Sequence, residues 1–110
     1  MGDEKLLDRA HLDTQTFGDK ALAQELLGLF AEQCRQLMPG IADTARSEAD
    51  RADLAHTLKG SAFGVGAVRV AARAAETEDA LRAASAASAS RTQALAEAVA
   101  ATLAALDATA

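Results

Sequence analysis

The sequence predicts an all-α domain, an antiparallel four-helix bundle with a short additional N-terminal helix, and three observations predict it. Half of the 110 residues are apolar, but much of that half is alanine, which loses least on entering a helix. Strand formers are scarce: Tyr and Trp are absent, and Phe17, Phe30 and Phe63 are the only aromatics. Leucines recur at steps of three and four, the helical period. The length suits one domain spanning residues 1–110, with a modest core that needs neither disulfide nor metal.

Asp3 to Leu12 reads as a short helix or partly ordered arm. "DTQTFGD" breaks the pattern at Gly18, and Asp19 is suited to cap the next helix. From Lys20 the apolar positions run Leu22, Leu26, Leu29 with Phe30, Cys34, Leu37, Ile41 and Ala45, one face of a long helix. Pro39 and Gly40 interrupt it; a kinked continuation is expected, because the stripe keeps phase across the proline. Ser47 or Asp50 suits the cap of a third helix ending at Phe63. Gly64 is expected to take the left-handed conformation that closes it, with Gly66 giving the turn room. A fourth helix, about Ala67 to Ala83, carries Val70, Ala74, Thr77 and Leu81 on one stripe. "AASAASAS" (83–90) is small and polar enough for the turn between antiparallel helices. A last helix, about 90–107, shows Leu95, Val99, Leu103 and Leu106 at helical spacing. Short connections between four main helices give the bundle.

A net charge of -5 argues against nucleic acid as the main partner, since phosphate backbones demand basic surface. Cys34, the single cysteine, excludes an internal disulfide and fits a reducing compartment. The start "MGDEKLLDRA" is acidic and has no apolar signal-peptide core, and Leu6 replaces the Ser or Thr of a myristoylation motif. No apolar run approaches the length of a membrane span. A cytoplasmic, free-standing monomer without membrane attachment is expected.

The chemistry gathers in "AHTLKGSAFGVGA", residues 55 to 67. Gly60 is the anomaly there, because glycine inside a helix costs roughly 1 kcal/mol relative to alanine. At about 100° per residue, Leu54 and Leu58 point to the core, nearly opposite His56. Ala49, Ala52, Asp53, Lys59, Gly60 and Phe63 fall within about 60° of His56, on the outward face. Gly60 then leaves space for a bulky group to reach the imidazole. An exposed Lys59 ammonium attracts an anion placed there. Neutral imidazole is a nucleophile, and histidine is the side chain most ready to be neutral near pH 7. Together these residues describe a phosphoryl acceptor. From spacing alone, an ordinary surface histidine beside a lysine and a tolerated glycine explains the motif equally well.

The same stretch resembles the signature of histidine-containing phosphotransfer (HPt) domains, and "FGDKALAQELLGLFAEQC" upstream is similar to that family's long second helix. The resemblance covers roughly residues 12 to 83. It implies a helical bundle with an exposed histidine in mid-helix. His56 would be the phosphorylated residue, through its distal nitrogen. Lys59 would steady the phosphoryl group and Gly60 would keep the approach open. Family members often place a polar side chain on the next helix near the imidazole, a position held here by Glu78. Its carboxylate would accept the proximal N–H and fix the ring, although it would also repel a phosphoryl group that it approached. Thr77 stands where a larger apolar residue is common. Ser61 matches the motif but is explained equally well by packing.

The resemblance implies a phosphorelay intermediate, a phosphohistidine carrier with no ATP-dependent kinase activity of its own. Receiver domains of response regulators or hybrid histidine kinases would dock over the third helix, with Ala49, Ala52, Asp53 and Phe63 as contact ground. They would bring Mg²⁺; the chain itself is expected to need no cofactor. Two other classes compete. A helical adaptor that docks regulators predicts that His56→Gln leaves output untouched, and a histidine-kinase dimerisation-like bundle predicts a dimer. His11 reads as a lone surface residue and Cys34 as core. Neither a metal signature nor a P-loop is present in the sequence.

Overall fold

The computed structural model describes residues 5–108, so the expected start of the first segment, at Asp3, lies outside the described residues. Five helices follow in order: α1 (Arg9–Gln15), α2 (Lys20–Ala42), α3 (Glu48–Val65), α4 (Val68–Arg82) and α5 (Ser88–Ala108). Among the described residues there is no strand. Helices α2 to α5 form the bundle. The α3–α4 contact is the most extensive, followed by α4–α5 and α2–α3, while α2 and α5 close the ring more lightly.

Three of the starts have a local cause. Asp8, Asp19 and Ser47 cap α1, α2 and α3, their side chains accepting from the backbone N–H of His11, Leu22 and Asp50. Helix α2 runs through Pro39 as one element. Gly40, beside the proline, admits α3: an added Cβ would stand 2.6 Å from Leu54 Cδ1. One carbonyl left without a helical partner at the end of α2, that of the buried Ile41, accepts from Nε of Arg51, itself a buried residue, at 2.7 Å.

The core joins Leu27, Phe30, Cys34 and Ile41 of α2 to Ala55, Leu58 and Ala62 of α3, Val70 and Ala74 of α4, and Leu95 and Val99 of α5. The α4 stripe is buried at all four expected positions, Val70, Ala74, Thr77 and Leu81. The α2 stripe holds at Phe30, Cys34 and Ile41, with Leu26 and Leu37 packed against the core, and departs at Leu22 and Leu29. Leu27 is buried, whereas Leu29 is 59% exposed and Leu22 lies at the surface. Positions 27 and 29 differ by about 200° on a helix, so a bundle that covers one must expose the other. Ala45 lies beyond the end of α2 and is exposed.

The close of α3 also departs from expectation. Gly64 remains inside the helix, and Gly66 is the left-handed residue, with φ +74°. Tertiary contact selects it. Asp8 N–H donates to Gly66 O at 2.7 Å, and an added Cβ at Gly66 would stand 2.7 Å from Asp8 O. That contact docks α1 at this end of the bundle, with Leu12 buried beneath it and His11 half-buried against the turn.

Candidate functional site

Helix α3 presents His56 to solvent, its side chain 63% exposed, while Leu58 on the opposite side is fully buried. One turn on, a Cβ added at Gly60 would meet nothing within 4 Å. Access to the imidazole is open on that side. On the other side lies α4, and it brings the rest of the site.

Glu78 rises from α4 with its side chain only 10% exposed. Both carboxylate oxygens lie 3.2 Å from His56 Nδ1. Lys59 Nζ donates to Oε1 at 2.9 Å, and Arg82 Nε donates to Oε2 at 3.0 Å. Arg82 also donates to Asp53 Oδ1 at 3.1 Å, which ties the end of α4 back to α3. Burial by itself would raise the Glu78 carboxyl. Hydrogen bonds from Lys59, Arg82 and His56, with the lysine's charge, outweigh it and hold the group at about 2. Glu78 is therefore an anion at any ordinary pH. The Arg82 guanidinium is held charged more firmly by Asp53 and Glu78.

A carboxylate accepts and does not donate, so its contact with Nδ1 favours the tautomer with the proton on that nitrogen. Nε2, on the far side of the ring, is then the nitrogen with a free electron pair. The site combines an oriented nucleophile, a nearby cation and an unobstructed approach.

The structure thus brings His56, Lys59, Gly60, Glu78 and Asp53 together. It corrects two expectations. Lys59 is no free surface ammonium: its side chain is 27% exposed and paired with Glu78. Ala52 is fully buried and offers nothing to a docking partner. The physical reason is the same for both. The fold covers one flank of the His56 face, that of Ala52 and Lys59, with α4 supplying the lysine's partner Glu78, and leaves Gly60 and Asp53 on the other flank exposed. Ala49, Asp53 and Phe63 stay exposed. Sequence reasoning missed Arg82, four residues after Glu78; the i,i+4 rule for opposite charges on a helix was the available signal. Among the described residues, no group of three His, Cys, Asp or Glu side chains is arranged to hold a metal ion.

A family model, the Hpt domain, matches residues 25–109. The chain belongs to the Hpt domain family, whose members carry out histidine phosphotransfer in two-component phosphorelays and interact with receiver domains. The match includes α5, past the expected limit near residue 83, and leaves out α1. No curated protein and no solved structure matched the chain. Among the described residues, no helix is long and apolar enough to cross a membrane.

Proposed function

We propose that this protein is a phosphorelay intermediate whose His56 accepts a phosphoryl group from a receiver phosphoaspartate and passes it to the aspartate of another receiver. The observation that carries the reading is the pairing of a solvent-facing imidazole with a buried carboxylate at Nδ1. In the transfer, the Nε2 electron pair attacks phosphorus in line. The N–P bond forms as the O–P bond breaks, and the electron pair leaves with the donor's carboxylate. Lys59 turns from Glu78 Oε1 to the phosphoryl oxygens and offsets their charge. Such a reaction needs positioning and charge more than new covalent machinery. Mg²⁺ arrives with the receiver, and this chain contributes no ATP chemistry.

The receiver lands on the open flank, over Ala49, Asp53, Gly60 and Phe63. Phe63 supplies the apolar part of a modest, transient contact, and Asp53 and Lys59 set its orientation. We place the protein in the cytoplasm as a monomer. A panel of phosphorylated receivers tests the reading. We expect an acid-labile, alkali-stable label that appears with at least one receiver and is absent in His56→Gln. Partner affinity or output that survives His56→Gln with no label formed on the wild type would identify an adaptor instead.

A further inference from the structure

Glu78 does more than aim the ring. Resting on the phosphotransfer reading, we propose that Glu78 sets the lifetime of the phosphoryl group on His56: it keeps a proton on Nδ1 after the group has joined Nε2, and so keeps the group ready to leave.

The attack on phosphorus moves no proton at His56. A ring that starts with its hydrogen on Nδ1 therefore ends as an Nδ1-protonated phosphoimidazolium. From that form the N–P bond breaks readily, because the electron pair returns to Nε2 and the leaving group is a neutral imidazole. If Nδ1 gives up its proton, departure must expel an imidazole anion, and the phosphoryl group is inert. An imidazole in water exchanges such a proton near neutral pH. The site opposes that loss. Without the proton, the Nδ1 electron pair would face two oxygens at 3.2 Å, acceptor against acceptors, on a carboxylate whose own side chain is only 10% exposed.

The surrounding charges fit this role. From α3 come Asp53 and Lys59, and from α4 come Glu78 and Arg82. Asp8, the cap of α1, and the titratable His11 within it lie by Gly66, ten residues along the chain from the imidazole. By the end of α2, Arg46 and Arg51 lie against Gly40 and Ile41. The two cations beside the ring would favour losing the proton, but both are already matched to Glu78 or Asp53. Asp53 is 72% exposed and spanned by Arg82, so it adds little. When Lys59 turns to the phosphoryl oxygens, Oε1 is left to the Nδ1 hydrogen alone, and the hold tightens. A site built this way passes its phosphoryl group on quickly and stores it poorly.

Phosphoramidate provides the test, because it phosphorylates histidine without a receiver, its own P–N bond breaking with release of ammonia. Wild-type and Glu78→Gln proteins of matched helix content are loaded, and decay of the phosphorus NMR signal is followed across pH. The glutamine amide keeps the shape and satisfies Nδ1 with or without its proton. We expect the wild-type label to stay labile to a pH about one unit higher, which between the two limbs is about a tenfold shorter lifetime. Superimposable pH profiles would overturn the proposal. Should Glu78→Gln fail to fold, nitrogen NMR of the phosphorylated wild type decides. A proton retained on Nδ1 to higher pH in the folded chain than in the same chain in urea supports the proposal, and coincident titrations refute it. Failure of His56 to take label from phosphoramidate or any phosphorylated receiver removes the phosphotransfer reading itself, and this inference with it.

Discussion

Gly60 separates two quantities that a helix residue usually couples, stability and access. Nothing lies within 4 Å of an added Cβ there, so no packing contact accounts for the glycine. Gly60→Ala should raise stability by about 1 kcal/mol, read from the urea midpoint. Gly60→Gln should keep the helix content, yet slow receiver-dependent labelling about a hundredfold by displacing the partner. Native transfer rates in the glutamine variant would refute the access role. This residue and its neighbours His56 and Lys59 were legible in the sequence because one short helical stretch fixes their relative directions. Ala52 was not legible, although the same arithmetic put it beside His56. Which flank of an exposed face becomes covered depends on where the other helices lie, and α3 alone holds no record of them. The Lys59 pairing escaped for the same reason.

Helix ends show a similar division between local and long-range causes. Asp19 and Ser47 could be read as caps because a side-chain acceptor three residues before an unpaired N–H is a local arrangement. The sequence points to Gly64 as the closing glycine of α3, whereas the helix closes at Gly66, because either is locally competent. The choice rests on Asp8, more than fifty residues earlier, whose N–H and carbonyl both meet Gly66. The two glycines should therefore respond in opposite ways. Gly66→Ala forces a side chain into the left-handed region and against Asp8 O, and should destabilise the protein by roughly 2 kcal/mol. It should also loosen α1, visible as faster amide exchange at Leu12. Gly64→Ala meets open space and should be neutral or stabilising. Equal effects at the two positions would show that α1 docking does not set the turn.

Across the whole bundle, the contact between α3 and α4 is both the largest interface and the one that carries the site. The buried Glu78 carboxylate helps join them, receiving donors from both helices, and its titration links fold stability to pH. In the unfolded chain Glu78 has an ordinary carboxyl, near the usual 4.5, whereas in the fold it is held at about 2. A group lowered by folding stabilises the native state while the unfolded form is also ionised. Its contribution is therefore complete above about pH 4.5 and disappears as pH falls toward 2. The size is on the order of 3 kcal/mol, a large share of the stability of a small domain. Other carboxylates titrate in the same range, so the wild-type curve alone does not isolate this one. The difference between wild type and Glu78→Gln does. We expect the variant to unfold at lower urea at pH 7, and the gap to close progressively between about pH 5 and 2. A gap that stays constant through that range would mean that the Glu78 charge contributes nothing to joining α3 and α4, and that the variant loses only packing.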